Sequence, residues 1–385
     1  MQNRYFDWAA TAPPLAAVRE TVDRCAADYY ANPSSRHHQG REASAVLEES
    51  RCQVASALGC DAQNITFTSG GTESNSLVLA SLFWKKRKGS VVLSSAEHAS
   101  VYGFIPFFRE IGCEVITLPA PLGFVSPDEL SRALRKETSL VCLNAVHNVS
   151  GAVQDLPALV SAVRDYEQQS SAPRIHVHLD AVQALGKVPF SLKTLDIDSA
   201  SFSAHKCSGP RGIGALYSRN PASPISSGGG QESGMRGGTE NLPGIAGFAA
   251  ALDYMTDHCH DHARHFEEVR SVLIDALSCI PGIVMLQNRE SSFAPSILLI
   301  SVSPIPSEVM IRLLSDRGFS VSAGSACSSK SSKKLERVLE AMGISSEAAA
   351  GVLRISFGHS TSIQDAALLA EALREEVQKL KGMLA

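Results

Sequence analysis

Short apolar or β-branched runs recur through the first two thirds of the chain, at residues 65–68, 91–94, 140–143, 175–179, 197–203 and 214–217. Each is followed by a polar or glycine-rich turn, and stretches of helical spacing lie between them. This alternation admits few folds beyond a parallel or mixed sheet wrapped by helices. The expected class is α/β, with a large, mainly parallel-sheet domain flanked by helices and a smaller α/β unit behind it. Ligands in such sheets collect beyond the carboxyl ends of the strands, so the turns after these runs are where chemistry is expected.

The 385 residues are too many for one compact core, and at 44% hydrophobic they are too apolar for a disordered chain. With 39 acidic against 35 basic side chains, the net charge of −4 offers no electrostatic footing for nucleic acid or a membrane surface. No run approaches the ~20 apolar residues that span a bilayer. The first residues, Met1 to Trp8, lack a basic segment followed by an apolar one, so export is not expected. The nine cysteines are an odd number and form no CxxC pair, which fits a reducing cytoplasm. Most should be buried small apolar residues, with Cys142 and Cys279 in apolar company.

Composition shifts to Pro, Ser and Gly near residue 221, and a helical stretch from about Pro243 to Leu277 follows. Pro281-Gly282 stops it. A strand at 297–302 comes next, then a closing helix that starts near Thr361 with Gln364 placed for a capping box.

Four segments carry chemistry. Ser69-Gly70-Gly71-Thr72 follows a strand and opens a helix, so its free N–H groups and the Thr72 hydroxyl suit a phosphate. An ordinary turn with Thr72 as N-cap is the alternative. Ser203-Ala-His205-Lys206 ends a β-type run; period two puts Ser203 and His205 on one face and turns Lys206 elsewhere. A partly desolvated Lys206 amine is a nucleophile for a Schiff base, unless the lysine is simply solvated on a loop. Asp180, in His178-Leu-Asp180-Ala-Val-Gln183, needs a cation or a protonated ring nitrogen, or else caps the next helix. One cofactor, pyridoxal 5'-phosphate (PLP), demands a phosphate cradle, a lysine and a ring carboxylate together. Cys327 stands among small polar residues flanked by Lys330 and Lys333, as an exposed, thiolate-prone carrier should.

Arg354, a cation inside an apolar strand, is suited to clamping a carboxylate or to a structural ion pair. His258, His260, His262 and His265 suggest a metal cluster, but no HExxH-type motif accompanies them. They are read as a solvated helix face, and no metal is expected.

From Tyr5-Phe-Asp-Trp-Ala-Ala-Thr11 to Arg354-Ile-Ser-Phe-Gly358 the chain resembles the cysteine desulfurases of the iron–sulfur-cluster-assembly type, within the class V aminotransferase group of fold-type-I PLP enzymes. Gly228-Gly-Gly-Gln231-Glu, Met235-Arg236-Gly-Gly-Thr239 and Gly324-Ser-Ala-Cys327 carry the likeness. The resemblance implies that Lys206 binds PLP as a Schiff base and that His98 stacks on its ring. It gives the ring nitrogen to Asp180, the phenolic oxygen to Gln183, and the phosphate to Gly71, Thr72, Ser203 and His205. Thr239 would come from the second subunit of a homodimer. Asn148 and Arg354 would bind the carboxylate of the L-cysteine substrate, with Asn32 close by; Asn148 would also adjoin the cofactor. Lys206 would move the α-proton, and Cys327 would take the sulfur as a persulfide, releasing alanine. The sulfur would then pass to an acceptor protein such as an iron–sulfur scaffold, or towards tRNA thiolation.

The same resemblance implies a large domain at 14–250. The small domain would be built from 1–13 and 251–385, with the cysteine loop at about 322–334. The chain departs from the family pattern at Val149, where an acid is usual, and at Trp8 and Ala31. The stretch from Gln168 to Pro173 reads as a surface insertion. A selenocysteine lyase, with the same cofactor and a similar cysteine, is one alternative. A PLP-binding sulfur-trafficking scaffold with little turnover is the other, suggested by Val149.

Overall fold

A computed structural model describes residues 4–84, 89–221, 228–287, 292–323 and 329–384. Its centre is a seven-stranded sheet in the order Ile65–Thr68, Gly214–Ser218, Ser199–Ser203, His176–Asp180, Thr138–Asn144, Ser90–Ser94, Glu114–Leu118. Gly214–Ser218 runs antiparallel to both neighbours, and the other strands share one direction. The sheet is therefore mainly parallel, as expected. Its inner strands are buried on both faces, which is why they read as apolar runs rather than alternating ones. Helices such as Gly71–Trp84 and Leu156–Ser170 cover it.

A second apolar cluster gathers around Phe266, Leu273, Leu298, Leu353, Leu369 and Leu373. There Ile297–Ser301 lies antiparallel between Val352–Ser356 and Val284–Met285. The N-terminal segment joins this cluster: Arg4–Tyr5 pairs in parallel with Phe319–Ser320, and Phe6 and Trp8 are buried in it. Among the described residues, no helix is long and apolar enough to cross a membrane.

Several local expectations are corrected. The helical stretch from Pro243 is two helices, Leu242–Asp257 and Cys259–Ser278, broken at His258. The His258 ring stacks on Tyr254 at 4.2 Å, and its Nδ1 bonds the Tyr254 carbonyl at 2.9 Å, so a side chain competes for a helix acceptor. The histidine face is not uniformly solvated. His262 is buried and stacked on His359, and His265 Nε2 bonds the Thr361 carbonyl. Among the described residues no group of His, Cys, Asp or Glu forms a metal cage.

The closing helix, Ile363–Leu384, is capped by Ser362, whose Oγ accepts from the Asp365 amide and bonds the Asp365 carboxylate; Thr361 and Gln364 do not form the cap. The edge strand Glu114–Leu118 was missed although Val115-Ile-Thr-Leu118 is an apolar, β-branched run; only its partial exposure sets it apart from the inner strands. Of the cysteines, Cys25, Cys113, Cys142 and Cys207 are buried, while Cys52, Cys259 and Cys279 are exposed. Cys279 is thus not in apolar company, because it caps the C-terminus of its helix rather than facing the core.

Candidate active site

At the carboxyl ends of the parallel strands lies a cavity of about 420 Å3. It is lined by Gly71, Thr72, His98, Asn148, Asp180, Gln183, Ser203, His205, Lys206 and Arg354, residues scattered over 284 positions of sequence (354 − 71 + 1) that the sheet brings to one mouth. Asn32 and Thr239 are exposed and do not line it; Asn32 instead accepts from the Ser34 amide. Cys327 lies outside the described residues.

Gly70 adopts φ +147°, a conformation that favours glycine. A Cβ on Gly71 would lie 2.4 Å from Val182 Cγ2, so neither position tolerates a side chain without local displacement. The strand Ser199–Ser203 ends where the chain tightens into the 3-10 turn Ala204–Lys206. Period two therefore fails beyond Ser203, and Lys206 turns into the same cavity as Ser203 and His205 instead of elsewhere. The Lys206 Nζ donates to the carbonyls of Ala9 at 2.9 Å and Ala10 at 2.7 Å. Burial, and next the Arg354 charge, draw its pKa down to about 8, opposed by Asp7 and Asp180.

Asp180 caps no helix, because a turn and not a helix follows its strand. Its Oδ1 accepts from the Val182 amide at 3.1 Å, a turn-capping bond, and its Oδ2 accepts from Asn75 Nδ2 at 2.9 Å. Arg354 likewise sits in a structural ion pair, with Nη2 2.7 Å from Asp7 Oδ1, while Nη1 donates to the Asn148 carbonyl at 2.8 Å. Gln183 Nε2 donates to Ala9, and its Oε1 is buried without a hydrogen-bond partner. His205, bonded to Thr11 Oγ1 at 3.1 Å, is lowered to about 4 by burial and then by Lys206, so it is neutral at pH 7. Val149 is buried in a small apolar cluster with Ala96, Leu299 and Val352, surroundings in which an acid would be uncompensated.

Sequence reasoning missed Glu97, Asn75 and Lys187. Glu97 is fully buried at the cavity wall and pushed up to about 8 by burial and next by Asp180. Its position beside His98, just beyond a strand end, was the available signal. Lys187 donates from Nζ to the Lys206 carbonyl at 2.9 Å and falls to about 7 through burial and then the Lys206 charge.

Because the folded value of Lys187 lies below its unfolded 10.5, the unfolded chain holds more protons between about pH 7 and 10.5. This residue's contribution is therefore complete above 10.5 and is lost as pH falls towards 7. Lys187→Met removes that penalty along with one hydrogen bond. The variant is expected to gain ~1–3 kcal/mol at pH 7 in urea unfolding, and to show a smaller rise in stability from pH 7 to 10. A variant less stable than the parent at pH 7 contradicts this.

The model of the family described as aminotransferase class-V matches residues 4–369. A NifS/IcsS protein homolog of Lactobacillus delbrueckii subsp. bulgaricus is 37% identical over 368 residues, covering 94% of each chain. The cysteine desulfurase IscS of Dictyoglomus turgidum is 35% identical, over 98% of this chain and 95% of its own. A solved structure titled NifS-like protein superposes with a TM-score of 0.90 at 33% identity, covering 98% of this chain and all of that one. A near-complete family match, full-length relatives and a shared fold around one lysine-bearing cavity agree: this chain belongs to the class-V aminotransferase family.

Proposed function

We propose that the chain is a PLP-dependent cysteine desulfurase, which takes sulfur from L-cysteine and leaves L-alanine. The observation that carries this reading is a half-buried lysine, lowered to about 8, sharing one cavity with a glycine cradle and a hydrogen-bonded carboxylate. Relatives named cysteine desulfurase, and a solved neighbour titled SspA in complex with cysteine (28% identical, TM-score 0.76), support it.

The residues present fit the cofactor. Gly70 and Gly71 keep the cradle free of side chains, and Gln183 Oε1 is a buried polar atom without a partner at the cavity wall. Gly71, Thr72, Ser203 and His205 would hold the phosphate, Asp180 the ring nitrogen, Gln183 the phenolic oxygen, and His98 the ring face, with Asn148 alongside. Bound there, PLP supplies an aldehyde and an electron sink.

The chain's own residues do the rest. Near pH 8 a substantial fraction of Lys206 is uncharged, so it can bond the aldehyde and, once displaced by substrate, accept the α-proton at Nζ. Arg354, already oriented by Asp7 and Asn148, would receive the substrate carboxylate. The Cys327 thiolate then bonds the substrate sulfur as the C–S bond breaks. The electron pair stays with carbon, which is protonated to give alanine, and Cys327 is left as a persulfide. A homodimer in which Thr239 serves the partner's cavity, a cytoplasmic setting and a sulfur-acceptor protein complete the proposal.

The test is direct. Purified protein loaded with PLP should show visible absorbance that changes on adding cysteine, release alanine, and gain 32 Da (one sulfur, a gain on the order of the mass of a carrier persulfide) on the peptide containing Cys327. Cys327→Ser should keep the absorbance and lose the mass gain. Turnover of selenocysteine with none of cysteine would assign a lyase instead, and absence of any persulfide would favour the scaffold.

A further inference from the structure

Behind the cavity wall runs a chain of side-chain hydrogen bonds whose donors and acceptors can be assigned outward from one amide. Its hub is Asn75, fully buried on the helix Gly71–Trp84 one turn beyond the glycine cradle. Asn75 Nδ2 donates to Asp180 Oδ2 at 2.9 Å and to Ser100 Oγ at 2.7 Å. Its Oδ1 meets His178 Nε2 at 2.9 Å. An amide oxygen only accepts, so His178 carries its proton on Nε2. His178 is neutral, because burial lowers it to about 3; its Nδ1 therefore accepts from Ser199 Oγ at 2.8 Å. Ser199 Oγ in turn accepts from His176 Nε2 at 2.7 Å. This end of the network fixes the orientation of the Asn75 amide and points both its N–H bonds the other way.

At that other end, His98 Nδ1 lies 2.8 Å from Ser100 Oγ and 3.2 Å from the Ser100 backbone nitrogen. A backbone N–H can only donate, so His98 Nδ1 is an acceptor and the neutral ring bears its proton on Nε2. Ser100 Oγ, taking a proton from Asn75, gives its own to the same nitrogen. The carboxylate and the imidazole, reached from different strands, are thus joined through two side chains.

We propose that Asn75 is the positioning residue of this site: acting through Ser100, it ties the Asp180 carboxylate to the His98 imidazole and, beside the Ser100 backbone amide that makes Nδ1 an acceptor, fixes the orientation of a ring whose proton is on Nε2. The geometry stands by itself; the catalytic consequence rests on the reading under Proposed function. A ring fixed in this tautomer keeps its orientation at the cavity wall and presents one defined donor. Partly satisfied polar networks lose definition, so removal of either relay member should loosen the ring's orientation while the backbone amide keeps its tautomer.

The experiment compares the full chain with Asn75→Leu, Ser100→Ala and the double variant. The first readout is the imidazole 15N spectrum of protein without added PLP, with His98 assigned by His98→Gln. Wild type and both single variants are expected to show His98 unprotonated at Nδ1, because the backbone amide of residue 100 remains, but in the variants the Nδ1 resonance should move downfield as that nitrogen loses or weakens its hydroxyl hydrogen bond. The second readout is alanine formation by PLP-loaded enzyme. Each single variant should lose roughly tenfold in kcat with a smaller change in KM, and the double variant should lose no more than the worse single one, since residues acting as one unit are not additive. Should Asn75→Leu fail to fold, Ser100→Ala, which deletes only one oxygen, decides alone. An unchanged His98 Nδ1 resonance in Ser100→Ala overturns the relay, as do additive losses in kcat. Protein that takes up no PLP at all would defeat the proposed function, while the nitrogen spectrum would still judge the relay.

Discussion

Lys206→Ala protein is expected to fold, to acquire no visible absorbance when PLP is added, and to form alanine from cysteine slower by roughly 10²–10⁴, the usual range for loss of a positioned acid–base group. The amine reaches the cavity from a tight turn at a strand end and is held by the carbonyls of Ala9 and Ala10, so no neighbouring lysine can take its place. Lys187, the nearest candidate, points its amine at the Lys206 backbone. Lys206→Arg retains charge and length but cannot become neutral, and should be equally inactive. Alanine formation within tenfold of wild type in either variant would remove Lys206 from the mechanism.

The largest effect on stability is expected at Arg51. Its guanidinium grips Glu232 with two hydrogen bonds, at 2.8 and 2.9 Å, and the same carboxylate accepts from the Phe67 amide at 2.7 Å. Only 2% of the Glu232 side chain is exposed. Glu232 and Ser233 both have positive φ, +48° and +54°, so the ion pair also restrains a left-handed two-residue turn. Arg51→Met leaves that carboxylate buried without its cation and should cost ~3–5 kcal/mol in urea unfolding. Glu232→Gln on the same background should recover part of the loss. A single-variant loss below about 1 kcal/mol would show the pair to be dispensable.

What the sequence revealed and what it hid divide along physical lines. Strands buried on both faces announce themselves as apolar runs, and 65–68 coincides with Ile65–Thr68 in the structure. The edge strand Glu114–Leu118, half in water, carries the same kind of run in Val115-Ile-Thr-Leu118 and was nonetheless missed. Lys206, Asp180 and Gly71 were legible because each sits at, or within three residues beyond, the end of a strand. Asn75 was not, because a lone asparagine inside a helix looks the same whether it faces solvent or joins a strand to a neighbouring helix. Period two misdirected Lys206 for a similar reason, since nothing local marks where the strand gives way to a turn.

The pairing of Asp7 with Arg354, 347 residues apart, has a temporal side. The carbonyls that steady the amine come from residues 9 and 10, and the guanidinium beside it from a strand near the far end of the chain. Contacts so distant in sequence close late in a search dominated by loop entropy. A refolding molecule is therefore expected to become competent to capture an aldehyde only when its two extremities have met, with uptake of PLP lagging behind recovery of secondary structure.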